Sequence, residues 1–282
     1  MAMILGYNSN GFAHHRLDDA VEILHELGYR GLALTVDVHH LDPFHPAWHE
    51  QTRAFALRHA ERGFSYVIET GARFLLDPRQ KHQPTLISAE PDRVRLRRQF
   101  LIRCLEIAKI LQARIVSLWS GAILPGQEPR QPWQQLVDEL RRLSDVAAEQ
   151  GLRLAFEPEP GMFIDTMEKF SELSERVNHP AFGLTLDVGH LVCQREIPIG
   201  VHIRRWRHCL WNVHIDDMRP GVHDHLAFGE GEVDFAELFA ALSEIGYAGM
   251  VAVELSRHSH DAVATAARSR DFLQRYLPSD HP

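Results

Sequence analysis

Short apolar or β-branched runs recur along the chain at 3–7, 31–36, 65–69, 114–119, 152–157, 182–187, 210–214 and 250–254. Each is of strand length, and runs of that length between polar breaks are the signature of buried strands. Between them lie longer stretches in which apolar residues return every three or four positions: 17–27, 47–62, 91–111, 133–150, 167–177, 199–208, 235–245 and 261–276. That spacing predicts helices with one buried face. Eight strands and eight helices in strict alternation predict an α/β fold, a single-domain (β/α)8 TIM barrel spanning residues 1–282. The punctuation agrees, because Gly28, Gly151 and Gly246 stand where helices must stop before the next strand. An open doubly wound sheet is the weaker reading, since no GxGxxG follows the first strand.

Composition narrows the function. The chain has 282 residues, 45% hydrophobic and 24% charged, so it is long enough to bury a large core without covalent staples. The formal charge of −8 speaks against a nucleic-acid surface built on clustered Lys and Arg. Three cysteines, Cys104, Cys193 and Cys209, make neither a CxxC pair nor an even framework. That usage predicts a reducing, cytoplasmic location. No apolar run approaches the ~18 residues of a membrane span, and no signal-like leader opens the chain. The 19 histidines are the outlying feature.

In a parallel barrel, chemistry gathers where strands end. The relevant ends here carry Glu157, Asp187, His214 and Glu254. Three of them close the apolar runs Leu-Ala-Phe-Glu, Leu-Thr-Leu-Asp and Val-Ala-Val-Glu, and an unpaired charge buried at such a position costs several kcal/mol. A cation relieves that cost. Three carboxylates and one imidazole suit a divalent ion that accepts oxygen and nitrogen donors, such as Mn²⁺, Mg²⁺, Co²⁺ or Zn²⁺.

Around these residues run Phe156-Glu157-Pro158, Leu186-Asp187-Val188-Gly189-His190, Val213-His214-Ile215-Asp216-Asp217, Phe228-Gly229-Glu230-Gly231-Glu232-Val233-Asp234-Phe235, and Gly246-Tyr247-Ala248-Gly249 leading to Glu254. In this order they resemble the xylose isomerase-like sugar phosphate isomerase/epimerase superfamily. The similarity is sharp over 150–256 and architectural before that. The resemblance implies one divalent ion on Glu157, Asp187, His214 and Glu254, proton exchange at a substrate carbon by Glu157 and Glu254, and a contact from His190 to substrate oxygen. The chemistry requires such groups: a proton next to a carbonyl is too weakly acidic to leave unaided, and a Lewis acid stabilises the enediolate while two carboxylates take and return the proton. The implied substrate is a small polyhydroxy carbonyl compound, and the implied activity is epimerisation or isomerisation. If a β-hydroxyl leaves the same intermediate, the enzyme is a keto-sugar (inosose-type) dehydratase.

His223-Asp224-His225 departs from a one-metal sugar enzyme. It is similar to the Asp-x-His zinc motif of endonuclease IV-like members, with His223 where that group has Asp, and with His190 it can hold a second metal. Otherwise His225 meets a substrate hydroxyl. The multi-metal hydrolase reading is disfavoured by the acidic charge and by Ser117-Leu118-Trp119-Ser120-Gly121, which lacks a histidine at the fourth strand end. A ligand-binding barrel without activity is the non-enzymatic alternative.

Further expected substrate contacts are Glu69 after the third strand, Glu159 two residues past Glu157, and Arg219 after the seventh strand, the last as a partner for phosphate or carboxylate. His14, His15, Asp37, His39, His40 and Arg73 fall on the same rim, and Phe12, Phe44 and Trp119 are candidates to shield it from water. The run Arg93–Arg98 reads as a solvated helix face. Residues 77–88, without periodicity, predict a loop over the mouth or a contact in a homo-oligomer.

Overall fold

The computed structural model describes residues 3–123 and 130–276, so the expected 1–282 domain includes positions outside the described residues at both ends and at 124–129. Among the described residues ten strands and nine α-helices follow in chain order: β1 (Ile4–Asn8), α1 (Leu17–Glu26), β2 (Gly31–Thr35), α2 (Trp48–Arg58), β3 (Ser65–Glu69), α3 (Pro91–Ile110), β4 (Ile115–Leu118), α4 (Arg130–Glu149), β5 (Arg153–Phe156) and α5 (Met167–Val177). Then come β6 (Phe182–Asp187), α6 (Val188–Cys193), α7 (Ile199–Trp206), β7 (Leu210–Ile215), β8 (Asp217–Arg219), β9 (Val222–Leu226), α8 (Phe235–Glu244), β10 (Met250–Val253) and α9 (Ala262–Leu273). Eight strands close a barrel in the order β1-β10-β7-β6-β5-β4-β3-β2, all pairs parallel, while β8 and β9 form a separate antiparallel hairpin. The expected barrel is present, and the hairpin and α6 are additions to it.

The helices form where local and packing preferences coincide. In α1 the buried residues Leu17, Ala20, Val21 and Leu24 repeat at helical spacing, and in α5 Met167, Phe170, Leu173 and Val177 do the same. Thr166 caps α5 by accepting the Lys169 N–H, and Asp234 caps α8 by accepting the Glu237 N–H. The three stop glycines all have positive φ, between 65° and 89°.

Residues two apart on a strand share a face. The outward set, including Leu32, Leu34, Ile68, Val116, Leu154, Leu184, Val213 and Val251, is buried beneath the helices. The inward set is small or polar. At the bottom Ala33, Val67, Met250 and Ala252 form their own apolar plug, with Ile115 packed on it. Above the plug, Thr185 donates to Ser117 Oγ (3.0 Å), and the Asn212 amide on β7 reaches across the barrel to Glu69 Oε1 on β3 (3.0 Å). The register between β6 and β7 slips once: Leu184 pairs with Leu210 but Thr185 with Asn212, leaving Trp211 as the extra residue. A one-residue slip reverses which face a side chain takes, and this bulge brings Asn212 and His214 into the inward set.

At Gly183 a Cβ would meet the Cys209 carbonyl oxygen at 2.6 Å and the Trp211 ring at 2.8 Å. Backbone at that distance cannot give way cheaply. Gly183→Ala is expected to lower stability by about 1–3 kcal/mol, read as a lower urea midpoint at unchanged m-value.

Candidate active site

The upper end of the barrel opens on a cavity of about 320 Å³ walled by Glu69, Glu157, Glu159, His190, His214, His223, His225 and Glu254, among others. Glu157 and Glu254 stand one residue past β5 and β10, yet their backbones remain on the sheet: Glu157 N–H donates to Leu118 O (2.8 Å) and Glu254 N–H to Ile215 O (2.9 Å). These last ladder bonds fix where the carboxylates start. Glu157, Asp187, His214 and Glu254 each bring an atom within 4.8 Å of the other three.

His214 is the hub. Its Nδ1 lies 2.8 Å from Glu254 Oε2 and 3.2 Å from Glu157 Oε1, and its Nε2 lies 2.9 Å from Glu69 Oε1. Burial favours the neutral ring, but Glu69, Glu157 and Glu254 hold its pKa well above the usual histidine range. Burial pushes Glu157 up, against the pull of His214. It also pushes Asp187 up to about 6. Burial opposes ionisation of Glu254 too, yet His214, His225 and the Asn10 amide, which donates to Glu254 Oε1 at 2.7 Å, keep it far below the ordinary value.

Asp187 works at two ends. One oxygen caps α6 by accepting the His190 N–H at 3.0 Å, and the other, Oδ2, is buried without a hydrogen-bond partner. An orphaned carboxylate oxygen beside two further carboxylates and an imidazole fits a divalent cation in donor type and charge. Glu69 on Nε2 leaves Nδ1 facing the cluster, as partners of metal-ligating histidines commonly do.

A second group stands beside the first. On β9 the period of two sends His223 and His225 to one face and Asp224 to the other, where it pairs with Arg257 at 2.9 Å. His223 Nε2 lies 3.1 Å from His190 Nε2, and His190 Nδ1 donates to the Pro158 carbonyl at 3.0 Å. His225 Nδ1 lies 2.6 Å from Asp216 Oδ2. Burial lowers the pKa of His190 well below its usual value and takes His223 to about 4, aided by the charge of His225. Asp216 overrides burial at His225 and lifts it to about 10. One nitrogen from each of the three rings falls within 4.8 Å of the others. Half-buried Glu159 is pushed up to about 7 by burial and by Glu254.

The structure brings Glu157, Asp187, His214, Glu254, Glu69, Glu159, His190 and His225 together. Arg219 it does not: the guanidinium is exposed and donates twice to the Glu230 carbonyl, at 3.0 and 2.9 Å, outside the cavity wall. In this structure Arg219 braces the loop after β9. Glu69 is in the cavity wall, with one oxygen committed to His214 and Asn212. Trp119 reaches the cavity, whereas Phe12 is core and Phe44 stacks under Arg103. The solvated helix face is also corrected at one position, because Arg97 is buried, donating to Thr70 O and stacked on Trp119. The Phe228–Phe235 motif is scaffolding: Asp217 accepts the N–H groups of Gly229 and Val233 and so folds that loop under the hairpin. Asn10 was not anticipated, since its contact spans 244 residues and no local pattern marks it.

Comparison with known proteins follows the same lines. L-ribulose-5-phosphate 3-epimerase UlaE from Salmonella paratyphi C (strain RKS4594) is 28% identical over 223 residues, 76% of each chain. Among solved structures, a D-tagatose 3-epimerase-like protein superposes with a TM-score of 0.81 at 18% identity, covering 97% of both chains. The IOLI protein, solved with a zinc atom, gives 0.77 at 19% identity, covering 98% of this chain and 99% of that one. The model of the xylose isomerase-like TIM barrel matches residues 21–276, as the strand-end motifs imply. The chain belongs to the xylose isomerase-like TIM barrel family.

Proposed function

We propose that the chain is a divalent-metal-dependent epimerase or isomerase of a small polyhydroxy carbonyl compound. The carrying observation is the approach of Glu157 and Glu254 to His214 from strand ends separated by β6 and β7, so that two carboxylates flank one point. Glu157, Asp187, His214 and Glu254 would hold a divalent ion, which when bound would supply Lewis-acid stabilisation of the negative charge that develops on the carbonyl and its neighbouring hydroxyl. The glutamates divide the proton work by position: Glu254, oriented by the Asn10 amide, takes the proton next to the carbonyl, and Glu157 delivers one from the other side. Glu159, His190 and His225 face the cavity, where they hydrogen-bond substrate hydroxyls. UlaE is by name an epimerase of a ketose phosphate, which supports the substrate class.

A second ion is favoured by one observation, the three converging imidazoles of His190, His223 and His225, with His190 braced by Pro158 and His225 by Asp216. In that form His190 and His225 hold the ion rather than a hydroxyl. No helix among the described residues is long and apolar enough to cross a membrane, and the buried unpaired cysteines favour a reducing, cytoplasmic setting.

Incubating metal-reconstituted protein with ketoses and keto-inositols in D₂O is expected to place deuterium on the carbon next to the carbonyl. Glu157→Gln or Glu254→Gln should slow this about 10²- to 10⁴-fold; full exchange in Glu254→Gln rejects the mechanism. Loss of water with formation of a dione identifies the dehydratase outcome instead. Elemental analysis is expected to give two ions per chain, falling to one in His223→Ala. A single ion in both proteins removes the second site.

Metal dependence also has a pH signature. Asp187 rises from 3.8 in the unfolded chain to about 6 in the fold, so without metal the folded state binds more protons and loses stability as pH climbs through that window. An ion requires the deprotonated ligand. The rise in melting temperature on adding Mn²⁺ or Zn²⁺ should therefore be larger at about pH 7.5 than at about pH 5.5, and should disappear with EDTA.

A further inference from the structure

We propose that Arg73 and Lys81, on the loop between β3 and α3, form an anion subsite that grips a phosphate or carboxylate at the far end of the substrate. The inference rests on the epimerase reading and deepens it: the substrate is an acidic sugar rather than a neutral one.

Both residues line the same cavity as Glu157 and Glu254. The loop that carries them is built to hold them side by side. The His82 N–H donates to Arg73 O (2.6 Å), and the His82 Nδ1 meets Gly71 O (2.8 Å), closing residues 71–82 into a ring. Asp77 braces that ring internally through the N–H groups of Arg79 and Gln80, and reaches Arg93 on α3 at 3.4 Å. Buried Arg97 ties the base of the loop by donating to Thr70 O at 2.9 Å.

Within this frame the two cations are left uncommitted. Among the described residues neither has a carboxylate oxygen within 4.0 Å, and the Arg73 guanidinium makes one hydrogen bond, to Asn10 O at 3.2 Å. Asn10 in turn holds Glu254, so the guanidinium stands one residue away from the proposed base. Arg257 shares the rim but is already paired with Asp224. Burial presses the pKa of Lys81 down, with Arg73 and Arg257 as like charges, against the pull of Glu159 across the cavity. Like charges gathered at a cavity edge are unfavourable until an anion joins them. A neutral polyol offers these donors only hydroxyl oxygens, whereas phosphate and carboxylate accept stronger, charge-assisted bonds from both side chains. The acidic floor repels the same anion, so the cavity's polarity orients the substrate with its carbonyl inward and its charged end at the rim.

Calorimetric titration with inorganic phosphate reads the subsite without turnover. Phosphate is expected to bind the divalent-ion-loaded protein and to bind Arg73→Gln/Lys81→Gln about tenfold or more weakly, while Arg73→Lys/Lys81→Arg retains most of the affinity. Deuterium exchange on a ketopentose 5-phosphate, a ketonic uronate and a free ketopentose then separates the sources of the anion. Wild-type kcat/KM should favour one charged substrate about tenfold or more over the free sugar, and the glutamine pair should lose that preference through KM. Preference for the phosphate ester or for the uronate names the group. Phosphate affinity equal in wild type and the glutamine variant overturns the subsite. So does a Lys81→Gln effect confined to the pH profile, which would make Lys81 a partner for Glu159 alone. Absence of exchange on every substrate rejects the epimerase reading, while the phosphate titration still decides the subsite.

Discussion

The structure depends on a concentration of negative charge at the floor of the cavity that a single imidazole holds together. Glu69, Glu157 and Glu254 all lie within 3.2 Å of His214 nitrogens, and Asp187 sits beside them with an oxygen that nothing satisfies. Removing so many carboxylates from water carries a penalty of several kcal/mol per ion unless charge and hydrogen bonds return. The strand ladders enforce this burial, because each acid is attached at the last inward position of a strand whose outward neighbours are locked under helices. The fold therefore fixes the acids first, and the proposed cation would offset the charge they bring together.

The barrel interior is shaped by the same need. Where parallel barrels of this type usually stack branched apolar side chains, this one confines apolar packing to a plug around Met250 and fills the middle with Ser117, Thr185 and Asn212. These groups tie Glu69 into the wall, and Glu69 in turn orients His214. Moving upward, the sign of the charge changes. Acids occupy the floor, neutral His190 and His223 and charged His225 the middle, and Arg73, Lys81 and Arg257 the rim. Such layering gives a polar substrate one favourable orientation.

What was legible in the sequence follows from periodicity. Strands and helices matched their expected ranges to within a few residues because each buries one face, and the acids at the strand ends stood out because they interrupt apolar runs. Three features were hidden for physical reasons. Helix α6 contains Gly189 and β-branched Val188 and Val192, a poor helix by propensity; the Asp187 side chain capping the His190 N–H gives it its start. The β8–β9 hairpin turns at Pro220-Gly221, a recognisable turn signal, but a three-residue strand such as Asp217–Arg219 is too short to show alternation. The placement of Arg219 was hidden for the same reason. Adjacency to a strand end does not fix direction inside a hairpin, and here the side chain lies against the Glu230 carbonyl. Asn10 and Arg97 owe their importance to partners far away in sequence or to a stacking surface, neither of which leaves a local trace.

Chemistry and selectivity thus sit on different parts of the molecule. The proposed metal ligands and proton carriers lie at the ends of β5, β6, β7 and β10, whose positions the closed sheet determines, so they can move very little without opening the barrel. The histidine hairpin and the Arg73–Lys81 loop are insertions after β7 and β3, held by their own internal bonds through Asp217 and His82 rather than by the sheet. A change in either loop alters what is bound at the rim while the acidic floor stays where the ladders put it. On the proposed reading, the groups that would discriminate between substrates are carried on segments that can be rebuilt without disturbing the carboxylates.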